Sequence, residues 1–301
     1  TFFFGEFQGL RARTSANTAR LVYTAEARKG NLRYVKGGRN QPAGVTGASV
    51  DYQGNVLSGV NIGTYNVVTS DPLKAGLDPT VSGLINATPL PNNFAVGDGL
   101  NTAGYNFSAQ ASERQHDQTI KIDHIINEKN SIFGRVAWGS DNSYCDTANS
   151  GQPIFPGGPC LVNTLRNPRN FAINWRYTPN GRVTNELVVG QNRYDPIFGQ
   201  PSSLDKISLI TPSIITSPAS YQFGNQRVVS TWQVVDNLAY FRGAHSLKFG
   251  FNLRRVREED QRGSVAGLNA NQEVDFSTAI NIVDPATFGL PSDLNTSFDR
   301  P

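Results

Sequence analysis

The sequence predicts an all-β fold, an antiparallel transmembrane β-barrel segment with long extracellular loops, one containing a short helix. Three observations carry this prediction. First, residues 229–258, VSTWQVVDNLAYFRGAHSLKFGFNLRRVRE, read as one hairpin. Leu247, Phe249, Phe251 and Leu253 fall on one face, and Lys248, Gly250, Asn252 and Arg254 on the other. That is the period of a strand with one apolar and one polar side. Trp232, Val234, Leu238 and Tyr240 keep the apolar phase before the glycine turn at 242–245, with Asp236 interrupting it. Second, each arm has about a dozen residues, against roughly 5–6 in a soluble strand and roughly 9–11 in a tilted bilayer crossing. Third, tight turns near 128, 180 and 243 alternate with long links near 13–112, 144–168, 196–227 and 259–273. Outer-membrane barrels keep this rhythm, with short turns in the periplasm and long loops outside.

Taken in order, residues 1–12, TFFFGEFQGLRA, read as a strand ending in charge. Residues 13–112 form a long extracellular loop region with short apolar runs and no sustained period. A connection of that length is usually functional or disordered. Within it, residues 71–86 fit one or two helical turns with a proline near an N-terminus, and Pro89-Leu90-Pro91 ends them. From about Glu113 the pattern turns regular. Ile120, Ile122 and Ile126 alternate with Lys121 and Asp123, and after a polar turn Ile132, Val136 and Trp138 return. Phe171, Ile173, Trp175 and Tyr177 share a face before Thr178-Pro179-Asn180-Gly181, a strong turn signal. Val183, Leu187 and Val189 return in phase, and a short strand fits near 274–276. The strand-length rule gives roughly eight strands.

Composition agrees with a barrel without demanding one. Only 38% of the 301 residues are hydrophobic and mean hydropathy is −0.37, but only alternate residues of a barrel strand face lipid. The net charge of +3, from 27 basic and 24 acidic residues, is too balanced to argue for nucleic acid. Thr1-Phe2-Phe3-Phe4 starts inside an apolar run, there is no methionine, and residues 297–301 read as loop. The chain therefore reads as an internal piece of a longer protein. Cys145 and Cys160 flank a Gly, Pro, Asn and Ser-rich segment. A disulfide there closes a loop of about 16 residues, worth roughly 3 kcal/mol by chain entropy, and implies an oxidising compartment. Two free thiols are the alternative.

At four places the chain resembles one family. TFFFGEFQGLRART resembles the FFFGNYEGLR strand of large Oar-like TonB-dependent receptors of the outer membrane, of acidobacterial and myxobacterial type. Residues 71–93, ending in Thr88-Pro89-Leu90-Pro91-Asn92, resemble their extracellular helix-plus-PLPN segment. Lys121-Ile122-Asp123-His124 with residues 129–135, and residues 243–250, resemble their KIDH…KNSLFGRY and GRHTLKFG hairpins. The resemblance implies a barrel of roughly 22 strands around a plug. Residues 1–301 are then part of its wall, without the plug and the remaining strands. It also implies energy coupling through the TonB complex, contacted by that plug, and a large solute or peptide as substrate.

The polar side of the strands carries Lys121, Asp123, Arg135, Arg176, Glu186, Lys248 and Arg254. These are expected to face the lumen, as a salt-bridged wall packing on a plug; a substrate path is the sharper alternative. Trp138, Trp175, Tyr177, Tyr194, Tyr240 and Phe241 are expected in membrane-interface girdles facing outer-membrane lipid; core packing in a soluble fold is the alternative. His116 and His124 lie eight residues apart on one strand, roughly 26 Å, too far to share a metal. Gly97-Asp98-Gly99 lacks the spacing and context of a phosphate loop and reads as a turn. No catalytic constellation is present, so neither an enzyme nor a cofactor or metal is expected. The expected function is a TonB-dependent outer-membrane transporter. The alternative is a secreted or surface β-protein, acting as an adhesive binding module or a small closed barrel.

Overall fold

The computed structural model describes residues 1–199, 207–210, 214–219, 224–262, 272–275 and 289–294. In chain order the elements are β1 (Phe2–Tyr23), α1 (Ala25–Arg28), β2 (Asn31–Val35), β3 (Ile62–Asn66), α2 (Pro79–Asn86) and β4 (Asn93–Gly97). Then come β5 (Thr102–Asn127), β6 (Asn130–Tyr144), a 3-10 turn (Thr147–Asn149), β7 (Asn163–Arg166), β8 (Arg169–Asn180) and β9 (Val183–Tyr194). The last are β10 (Ile197–Gly199), β11 (Ile207–Ile210), β12 (Asn225–Arg242), β13 (His245–Arg262) and β14 (Gln272–Asp275). The strand foreseen near 274–276 is β14, paired in parallel with β11; residue 276 lies outside the described residues.

The long strands stand side by side as β1, β5, β6, β8, β9, β12, β13, each pair antiparallel. Tight turns join β5 to β6, β8 to β9 and β12 to β13 at one end of the sheet. At the other end lie the long connections, where β7 bridges β6 to β10 and β10 continues to β12. No helix among the described residues is long and apolar enough to cross a membrane; the long elements are strands.

Because directly paired residues share a face, the register reads across the whole sheet. One row runs Phe3, Ile122, Gly134, Ile173, Val189, Val234, Leu253. Its neighbours on that face include Trp175, Leu187, Phe249 and Phe251. These apolar side chains point away from the sheet with nothing covering them among the described residues: Phe249 is 60% and Leu253 64% exposed. An uncovered apolar surface of this extent marks a contact with membrane or protein.

The region read as one loop over 13–112 has different bounds. β1 runs to Tyr23 and pairs residue by residue with β5 from Thr102, so the excursion spans 24–101. Beyond the apolar band neither side of this ribbon repeats apolar residues, so the sequence shows no period there. The excursion itself is folded. Ala43, Val50 and Leu100 are buried together, with Val35, Ile62 and Phe94 against them. Asp98 ties it down. One carboxylate oxygen accepts the amides of Leu100, Asn101 and Thr102 at 3.0, 2.6 and 2.7 Å. The other accepts the side-chain amides of Asn40 and Asn101. The flanking Gly97 and Gly99 have φ of +82° and +75°, so Gly97-Asp98-Gly99 is a structural turn. The foreseen helix is α2, with Pro79 in its first turn and Asp78 accepting the Val81 amide at 2.8 Å as N-cap.

Candidate functional site

The face opposite the apolar band carries the charges. Lys121 pairs with Arg135, and Arg176 with Glu186, so each pair shares a side. Asp123 lies two residues from Lys121, and the rows through Gln233 and Ala239 bring Arg254 and Lys248 to the same side. All seven sequence-predicted charges therefore stand on one face. They engage locally rather than converge. Lys121 lies 2.8 Å from Asp123 and over the Phe133 ring at 4.8 Å. Arg176 lies 3.4 Å from Glu186, which also accepts Asn174 at 2.8 Å. Arg135 donates to Asn170 at 3.0 Å. It borders an open hollow of about 480 Å³ floored by Ala172 and Gly190, where small residues leave room for an inserted group.

The aromatic residues divide. Trp138, Trp175, Tyr177 and Tyr240 lie on the apolar face, where Trp175 stacks on Tyr177 at 5.8 Å. Phe241 does not: it pairs with Ser246, on the side of Lys248. Tyr194 pairs with Val229 and likewise shares the side of Glu186. Both corrections have one cause, since neighbours along a strand point to opposite faces. Trp232 joins the apolar face and meets Phe171 edge-on at 5.6 Å. His116 stacks on Phe7 at 6.2 Å, while His124 bonds Thr1 at 2.7 Å; they do not meet.

At the long-loop end, the 145–162 connection folds over the charged side. Cys145 and Cys160 form a disulfide and are buried with Ala111, which stands on that side of β5. Beside them Asp146 accepts the Thr164 hydroxyl at 2.5 Å and faces Arg166 at 3.7 Å. Arg20 of β1 donates to the carbonyls of Ile154 and Pro153 at 2.9 and 3.3 Å. Arg28 donates to the carbonyls of Thr88 and Pro89 at 2.8 and 2.5 Å. These two arginines hold the disulfide loop and the segment after α2 in place. Between them lies a cleft of about 270 Å³, walled by Leu84, Thr88, Phe155, Pro156, Leu161 and Pro218. Its polar lining is mostly backbone, suited to binding and orienting a ligand. Sequence reasoning missed Arg20 and Arg28 because both lie in the stretch read as featureless loop.

An antiparallel sheet with an uncovered apolar side, a charged side, tight turns at one end and folded loops at the other is the wall of an outer-membrane barrel. The chain matches the family described as outer membrane beta barrel domain over residues 1–288, and it belongs to that family. Its place is the bacterial outer membrane. No curated protein and no solved structure matches it.

Proposed function

We propose that the chain forms part of the wall and outer mouth of a TonB-dependent receptor, which takes a large solute or peptide across the outer membrane using energy from the inner-membrane complex. The observation that carries this reading is the mouth. The disulfide loop is packed on the charged side of the sheet and tied to β1 by Arg20, and the 24–101 excursion is folded on its own core and braced internally by Arg28. An open diffusion pore has no use for such a cover; a receptor that first captures its solute does. Size supports the same reading. β1 and β13 each have one neighbour in the sheet among the described residues, and unpaired edges are not tolerated in lipid. Closure with further strands gives a lumen wide enough for a plug. The role is capture and passage, with no chemical step.

The test is crosslinking of the full-length protein to TonB in intact cells. A TonB adduct that vanishes when the proton-motive force is collapsed supports the proposal. Absence of an adduct, with free passage of small sugars through reconstituted vesicles, overturns it. A second reading, a surface adhesin, is favoured by the separate core of the 24–101 excursion. It predicts ligand binding that is indifferent to TonB.

A further inference from the structure

The apolar face carries a second feature, at its boundary with the long-loop end. Arg169 pairs with Arg193, Arg193 with Ser230, and Ser230 with Arg257. One row closer to the turns, Trp232 pairs with Arg255. All four arginines therefore stand on the side of Ile173 and Phe251, and all four are exposed. Asp195, itself buried, accepts Arg169 at 3.3 Å and Arg193 at 3.4 Å, and Glu259 pairs with Arg257. Arg255 has no ion-pair partner among the described residues. Cations thus outnumber carboxylates here, four to two. An open hollow of about 420 Å³ lies among Arg193, Trp232, Arg255 and Arg257.

Depth fixes what meets this patch. From Tyr240 to Trp232 is about 26 Å along β12 at roughly 3.3 Å per residue. At a barrel tilt of about 40° that projects to about 20 Å, most of the apolar band of about 25 Å. The arginines begin at the row of Trp232 and continue outward. Guanidinium groups inside hydrocarbon are strongly unfavourable, but at the headgroup level they are not. The planar fork of arginine matches phosphate with two parallel hydrogen bonds. The long-loop end of a bacterial barrel is the outer one, so the headgroups at this level belong to the outer leaflet.

We propose that Arg169, Arg193, Arg255 and Arg257 dock the phosphate-bearing headgroup of an outer-leaflet lipid, with Trp232 against its acyl chains. The proposal needs only the barrel and its orientation, and it stands whether or not transport is energised.

The test uses the full-length protein in detergent, titrated with nanodiscs of phosphorylated outer-leaflet lipid or of the same lipid dephosphorylated. Wild-type protein is expected to prefer the phosphorylated form. The R193Q/R255Q/R257Q variant is expected to lose that preference, by about fivefold in affinity per arginine removed. Equal binding of the two lipids by wild type, or wild-type preference in the triple variant, overturns the proposal. Displacement of the lipid by inorganic phosphate at matched concentration also overturns it, by making the site one for a free anion. A heat-modifiable gel band verifies folding. If the triple variant lacks that band, R255Q alone carries the test, because Arg255 has no ion pair to lose.

Discussion

Asp146 is 6% exposed. Burial alone pushes its carboxyl upward, yet the bonds from Thr164, Asn149 and the Ala148 amide, with the Arg166 charge, hold it below the ordinary range. A carboxyl lowered in the folded state stabilises fully above its unfolded pKa, and that contribution is lost as pH falls through the folded value. The disulfide loop should therefore stay protected at neutral pH and loosen only under strong acid, below the usual carboxylate range near pH 4. Hydrogen exchange of residues 145–164 against pH measures this. Asp146→Asn should cost about 1–3 kcal/mol, since it strands the Thr164 hydroxyl and the Asn149 side-chain amide, and should remove the acid dependence. An unchanged exchange profile in the variant would refute the role given to this carboxylate.

At the scale of the strand, alternation divides solvent environments. Leu187 lies on the apolar face in the row of Asp236, midway along the band, so Leu187→Arg should cost about 2–4 kcal/mol of folding in lipid. Asn192→Arg, on the charged face, should change stability by less than about 0.5 kcal/mol. Urea titration of folding into vesicles, followed by tryptophan fluorescence, checks both; equal costs would contradict the assignment of the two faces. The same physics sets what the sequence discloses. β8, β9, β12 and β13 were legible because one side is apolar and the other polar, which prints a period of two. The outer half of β1 and the first half of β5 print no such period, so their pairing was hidden. Phe241 was misread for a related reason. Two adjacent aromatics near a turn suggest a girdle, but only one can face each way. The disulfide was legible from spacing. The bonds made by Arg20, Arg28 and Asp98 were not, because their partners are backbone carbonyls or amides, or lie far away in sequence. Asp236 broke the apolar row in the sequence, and its partner Asn185, at 2.8 Å, becomes visible once register is known.

For the molecule as a whole, the mouth has a core and a disulfide of its own. Reducing the Cys145–Cys160 disulfide should expose residues 145–162 to protease while the heat-modifiable band of the full-length protein persists. Loss of that band on reduction would show that the mouth supports the wall. Finally, β5 runs 16 residues from Gln118, level with Trp138, out to Thr102, paired with β1 throughout. That is about 53 Å of hydrogen-bonded ribbon at roughly 3.3 Å per residue. A flexible tether of that reach would let its cargo wander through a large volume. A stiff ribbon keeps the effective concentration high at one point. Under the proposed receptor role, a solute caught by the outer domain would be held above the same spot, so delivery would not wait on diffusion.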